Sequence, residues 1–164
     1  MEAHEDRKLR PLLRVFHLKS GNFSNSLTGK LSLRFGLEKD IAVELQTSED
    51  DEEEQKPKAT PKGRTRKPKK EPKPFKSSVE INLKAHFVDS EGKPVEGIVA
   101  TATYRAGFEF NKEVTSAEVE QALESEPYQY LFVVQAFPLA ISHFKEQLTA
   151  MGMNSSEMPL GVVA

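Results

Sequence analysis

The chain has 164 residues, with 23 Lys and Arg against 25 Asp and Glu, and it contains no cysteine. This length suits one domain, and the lack of cysteine excludes a disulfide framework and thiolate metal sites. The longest apolar run, residues 131–141, is too short for a membrane span, and the charged first residues do not resemble a secretory signal. We therefore expect a cytoplasmic protein without membrane insertion.

Two stretches near the start of the chain have strand patterns. Residues 12–23 carry apolar side chains on both faces, which is typical of a strand covered on two sides. We interpret His17, inside this run, as a structural or interface residue rather than a ligand, since no second histidine or carboxylate has metal-like spacing to it. Odd-numbered apolar residues then continue over residues 31–45 across a charged break at 38–40, which predicts one long bent strand or two short ones.

Residues 49–76 differ in composition from the rest of the chain. Six consecutive acids, Glu49 to Glu54, precede a mixture of Lys, Arg and Pro. Such a segment buries too little apolar surface to offset the entropy of ordering, so we predict a disordered charged loop inserted between two strands of a single domain spanning residues 1–164. Its basic part, residues 56–76, suits contacts to nucleic-acid phosphates. The alternative is a solvated linker whose acidic and basic blocks screen each other.

The clearest pattern is a hairpin over residues 79–110. Apolar and polar residues alternate on both sides of a turn at 89–93, which predicts two antiparallel strands with one apolar face. Four alanines on that face leave room for a helix to approach closely, so we expect aromatic residues from elsewhere to fill the space above them. On the other face, Thr101 and Thr103 suit a surface that a partner covers.

Two helices are predicted after the hairpin. Thr115 and Glu118 fit a capping box for a short helix ending near residue 125. Pro127 suits the first turn of a second, long helix that ends near Gly152, and Pro138 inside it predicts a kink. The apolar residues of this helix cover more than one stripe. We expect it to be buried on two sides, against its own sheet and against another subunit.

Motifs for catalysis are missing from the sequence. It contains no phosphate-binding glycine loop, no nucleophile elbow and no His-x-x-x-His pair, and its four histidines are scattered. We therefore expect a protein that is not an enzyme and that needs no cofactor and no metal.

The order of elements resembles the SecB family of export chaperones. The segments that carry the resemblance are residues 15–23, the strand end Gly107-Phe108 and the helical Phe137-Pro138-Leu139-Ala140. The resemblance implies an α+β fold, in which a four-stranded antiparallel sheet has a long kinked C-terminal helix packed on one face. It also implies a homo-oligomer that is a dimer of dimers, that is, a homotetramer.

The function implied by the resemblance is that of an ATP-independent holdase for unfolded client polypeptides, in protein export or in a specialised SecB-like role. Partners would be the clients, the SecA motor or an antitoxin. Ser20 and Ser24 stand where the family presents acidic residues to SecA, which puts that partner in doubt. The alternative function is a nucleic-acid-associated oligomer that uses the basic loop. For the client-binding groove the candidates are aromatic, and for each the alternative is ordinary core packing: Phe108, Phe110, Tyr128, Tyr130, Phe132 and Phe137.

Overall fold

The structure, a computed structural model, describes residues 8–27, 33–46 and 76–154. Four strands form one antiparallel sheet, and two helices follow the last strand. The elements are β1 (Leu12–Asn25), β2 (Arg34–Gln46), β3 (Lys76–Val88), β4 (Ile98–Glu109), α1 (Ser116–Leu123) and α2 (Glu126–Ala150). The predicted α+β class is confirmed. Lys76 already belongs to β3, and the rest of the predicted disordered loop, residues 49–75, lies outside the described residues.

The strands are arranged in the order β1-β4-β3-β2, so β1 and β2 form the two edges. The predicted hairpin is the centre of this sheet, because β3 and β4 pair with each other and each pairs with one edge strand. β2 pairs with β3 without interruption through residues 38–40. Of the two alternatives, one long strand or two short ones, the structure therefore has the single strand. β1 carries two bulges along its pairing with β4, at Arg14 and at Lys19.

One face of the sheet is covered by α2 and forms the core, as the alternation predicted. Ala100, Ala102 and Ala106 are at most 5 % exposed. Aromatic rings from other elements pack on this face, and the ring of Phe23 lies 5.4 Å from that of Phe144 in α2. Small strand residues thus let the helix approach, and large rings fill the space around them.

The predicted helix boundaries are confirmed. Thr115 accepts a hydrogen bond from the Glu118 backbone, and the Glu118 side chain accepts one from the Thr115 backbone, which completes the capping box. The hydrogen bonds that the Glu118 carboxyl accepts from the backbone and from the hydroxyl of Thr115 lower its pKa. Helix α2 has Pro127 in its first turn and continues through Pro138 to Ala150, followed by Gly152 in the left-handed region. The kink at Pro138 stays a prediction.

Side-chain contacts hold α2 parallel to β1. Just before β1 begins, the Pro11 carbonyl accepts a hydrogen bond from the Gln135 amide, in the first half of α2. Near their ends, the Asn25 amide donates one to the Met151 carbonyl. Between these points the Tyr104 hydroxyl hydrogen-bonds Nδ1 of His143 at 2.9 Å. Burial raises the pKa of the Tyr104 phenol well above its ordinary value.

Candidate client-binding surface

Four of the six aromatic candidates lie in the core of the subunit. Phe108, Phe110, Phe132 and Phe137 are at most 4 % exposed. The ring centroid of Phe132 lies 5.0 Å from that of Phe108 and 6.1 Å from that of Phe110, where the start of α2 crosses the end of β4. These side chains fill the space between helix and sheet, so in this arrangement a client cannot reach them.

The two tyrosine candidates lie at the start of α2 in different environments. Tyr128 is half-buried, its ring packs against Phe132, and its hydroxyl donates a hydrogen bond to the Leu9 carbonyl. Burial raises its pKa to about 12. Tyr130 is 49 % exposed. Of the six candidates, Tyr130 alone offers an accessible apolar surface.

Helix α2 has a second apolar surface that faces away from the sheet. We call it the outer patch, and it consists of Tyr130, Leu131, Val134 and Leu139. These side chains are between 37 % and 49 % exposed, whereas the sheet-facing residues of the same helix are buried. Farther along the helix the outward positions become polar. The outer patch is therefore confined to the first half of α2, next to the start of β1.

Edge strand β1 adds three exposed apolar side chains, Leu12, Val15 and Leu18, which we call the β1 edge residues. They are 47 %, 54 % and 41 % exposed. By register only Leu18, opposite Tyr104, lies on the side of the sheet that α2 covers, whereas Leu12 and Val15 lie on the other side. The Leu131–Leu139 row of the helix runs beside this strand, because Gln135, one helical turn from each, is hydrogen-bonded to the backbone of Pro11 and Leu13. β1 was predicted to be covered on two sides, but within the described residues these side chains have no cover.

The sequence contained a signal for this surface. The second apolar stripe of α2 indicates that the helix has two apolar faces, whereas the binding candidates predicted from the sequence are all aromatic. Aromatic side chains bury the largest area per residue, so those of α2 that lie beside the sheet are buried in the core. The smaller Leu and Val side chains were left on the outside.

The opposite face of the sheet is polar. A row of hydrogen bonds crosses it, with the Thr103 hydroxyl donating to Asn82 at 2.7 Å. Farther along, His86 Nε2 lies 2.6 Å from the Glu38 carboxylate, and this hydrogen bond lowers the pKa of Glu38. We call this surface the open face, because no described element covers it. Ser20 lies on it by register, opposite Thr103, as does Ser24.

The element order, the sheet topology and the position of α2 can be compared with solved structures. A similar one is that of the Mycobacterium tuberculosis SecB-like chaperone Rv1957, in complex with a ChAD peptide from the Rv1956 HigA1 antitoxin. The TM-score is 0.52 at 14 % identity, and the match covers 94 % of this chain and 90 % of that chain. The fold of the chain is SecB-like. No protein-family model and no curated protein matches it.

The SecB-like fold is thus supported by structure rather than by sequence similarity. Among the side chains that the structure describes, no group of His, Asp and Glu has an arrangement that could hold a metal ion. None of the described helices is both long enough and apolar enough to cross a membrane. The candidate site in this SecB-like fold is the exposed apolar surface described above.

Proposed function

We propose that this protein is an ATP-independent holdase that binds extended apolar segments of unfolded polypeptides. The observation that carries the proposal is the apolar surface formed by the outer patch and Leu18, which lies on the same side of the sheet as α2. Five large apolar side chains are exposed on this side of the sheet. Exposed apolar surface of this kind marks interaction sites in soluble proteins. Apolar contact is non-directional, which suits a protein that takes many client sequences.

The energetics favour weak binding per subunit. Fully burying a Leu or Val side chain contributes about 1.5–3 kcal/mol, and each side chain here has roughly half of its surface left to bury. Five such contacts give on the order of 5 kcal/mol before the costs of association are subtracted. One subunit alone therefore holds a client weakly, and a client that spans two or more copies gains by avidity.

Oligomerisation is part of the proposal for this reason. The outer patch is the surface through which α2 would meet a second copy, and the expected assembly is a dimer of dimers. Its four side chains alone are too few for a stable interface, which buries about 800 Å² per partner. The adjoining β1 edge would have to contribute to the interface as well. Clients would then bind to the apolar surface that remains exposed in the assembly.

Among partners, an antitoxin segment is a reasonable client class, since the similar SecB-like chaperone was solved with an antitoxin peptide. Docking on the SecA motor is not proposed, because Ser20 and Ser24 provide hydroxyl groups on the open face where the resemblance implies carboxylates. The basic residues of the nucleic-acid alternative lie largely outside the described residues, and no observation favours that function.

Light scattering of a denatured model client diluted into buffer, without ATP, tests the proposal. We expect the full chain to suppress client aggregation near a stoichiometric ratio, and a form lacking residues 49–75 to do the same. The variant Leu131→Gln/Val134→Gln should lose most of this activity. The matched control is Val99→Gln, because Val99 is 39 % exposed but lies on the open face.

The mass of each form, measured by multi-angle light scattering, separates the two roles of the outer patch. Lost suppression with an unchanged mass assigns the patch to client binding, whereas a lower mass assigns it to assembly. Equal suppression by the patch variant and the control would exclude this surface. No suppression by the unmodified chain would refute the holdase function.

A further inference from the structure

Helix α2 ends in a turn that stops the chain from continuing along the helix axis. Gly152, with φ 84°, donates its backbone N–H to the Thr149 carbonyl, and Met153 donates to the Leu148 carbonyl, both at 2.9 Å. These two hydrogen bonds form a Schellman motif, which satisfies the last carbonyls of a helix. Met153 packs against the core. The chain therefore leaves α2 beside the last turn of the helix, near Leu148.

The residues that follow, 155–164, have a polar start and an apolar remainder. Residues 155–157 are Ser, Ser and Glu, and large apolar side chains then occur at positions 158, 160, 162 and 163. The other three stretches outside the described residues contain one large apolar side chain each: Met1, Leu31 and Phe75. Of the segments outside the described part of the chain, 155–164 is therefore the one suited to cover an apolar surface.

The exposed surface of α2 shows the same order when it is followed backwards from the end of the helix. Glu146 and Ser142 are exposed and polar. Leu139, Val134 and Leu131 of the outer patch come next, and each is exposed. A segment that runs antiparallel to α2 thus places its polar residues beside polar positions and its apolar residues beside the outer patch.

The lengths of the segment and of the helix also match. At 1.5 Å per residue, Leu139 and Leu131 lie about 14 Å and 26 Å before Leu148 along the helix. At 3.3 Å per residue, Met158 and Val163 lie about 17 Å and 33 Å after Met153 in an extended chain. The apolar residues of the segment therefore reach over the same stretch that the outer patch occupies.

We propose that residues 155–164 fold back along α2 and cover the outer patch of the same chain, so that a client has to displace them. A path on the β1 side of the helix also passes Leu18, which is 41 % exposed. A segment tethered this closely has an effective concentration in the millimolar range, so weak apolar contacts are enough to keep the patch covered. The docking follows from the lengths and the polarity, whereas its effect on clients rests on the proposed holdase function.

Disulfide trapping tests the docking without a client, on a chain that contains no cysteine of its own. Ser142→Cys with Glu157→Cys places one thiol next to the outer patch and one just before the apolar part of the segment. Under mild oxidation we expect a cross-link within one chain, seen as faster migration on a non-reducing gel. Adding Leu160→Gln/Val162→Gln should slow the cross-linking about fivefold or more, because apolar burial is lost. The matched control, Val99→Gln on the open face, should leave the rate unchanged.

Three results of the trapping experiment would overturn the docking. An equal rate with and without Leu160→Gln/Val162→Gln would mean that the apolar residues do not hold the segment on the helix. A cross-linked product of twice the chain mass would assign the segment to a second copy. Slower trapping with Val99→Gln would place the segment in the hollow between β3 and β4 that Val99 lines.

Light scattering with a denatured client tests the effect of the covered patch. The form lacking residues 155–164 and the variant Leu160→Gln/Val162→Gln should both suppress aggregation at about threefold or more lower concentration than the unmodified chain, because a larger fraction of the protein is competent to bind. Equal activity of all three forms would mean that the segment does not compete with clients, which overturns the proposal. Docking in the trapping experiment, without suppression by any form, would refute the holdase function alone.

Discussion

The two faces of the sheet differ although the same strands form both. On β4, Tyr104 and Ala106 are at most 1 % exposed beneath α2, whereas Thr103 and Arg105, their immediate neighbours in sequence, remain partly accessible on the open face. The covered face is held by burial of apolar surface. The open face is held by cross-strand hydrogen bonds and ion pairs, including Lys19 to Glu80 and His86 to Glu38.

The two faces therefore contribute different amounts to the stability of the fold. Truncating a buried aromatic side chain lowers the free energy of unfolding by several kcal/mol, because apolar contacts are lost and a cavity forms. A solvent-accessible hydrogen bond or ion pair contributes about 1 kcal/mol or less. The covered face therefore provides most of the stability, and the charged and polar groups of the open face contribute less.

The largest effect is expected from Phe132→Ala. Phe132 is fully buried, and its ring contacts those of Phe108 and Tyr128. Its loss should lower the free energy of unfolding by about 3–5 kcal/mol, measured by urea denaturation. The control on the open face, Thr103→Ala, should cost about 1 kcal/mol. Similar losses for the two variants would contradict the contrast between the faces.

A smaller effect is expected when an alanine of the covered face is enlarged. Ala106 is fully buried, so Ala106→Leu should force the neighbouring side chains out of their preferred rotamers. The expected cost is about 1–3 kcal/mol in the same urea experiment. Thr101→Leu, on the open face of the same strand, is the control and should change the stability by less than about 0.5 kcal/mol. A neutral or stabilising Ala106→Leu would show that the alanines are not needed for close approach of α2.

The smallest effect at neutral pH is expected for Tyr104→Phe, which removes the hydroxyl bonded to His143. It should cost about 1 kcal/mol. Above pH 10 the difference in stability between the unmodified protein and Tyr104→Phe should change. The unfolded chain releases its phenol protons near pH 10, while the raised pKa keeps Tyr104 protonated in the folded chain. The stability of the unmodified protein therefore falls as pH rises above 10.

The Phe variant should lose stability less steeply in that range, because it lacks one of the two shifted phenols. Tyr128, whose pKa is raised to about 12, accounts for the remaining slope. Thermal unfolding followed by circular dichroism between pH 8 and pH 12 gives both slopes. Parallel curves for the two proteins would mean that Tyr104 ionises equally well in the folded and unfolded states.

The sequence by itself determined which residues share a face. The period of two in residues 79–110 fixes the sides of β3 and β4 for geometric reasons, since successive side chains point to opposite faces of a strand. The capping box and Gly152 likewise set the bounds of the helices, because these signals act through local hydrogen bonds and backbone conformation. Both kinds of information are local, and the structure confirms both.

Only the tertiary structure decided which apolar residues are buried. Phe132 and Leu131 are neighbours in the sequence and equally apolar, yet one packs against Phe108 and the other remains exposed. The ion pair between Lys19 and Glu80 was likewise not predicted, since it requires β4 to lie between β1 and β3. Burial and electrostatic environment depend on which element packs over a residue, and that is set by contacts between residues far apart in the chain.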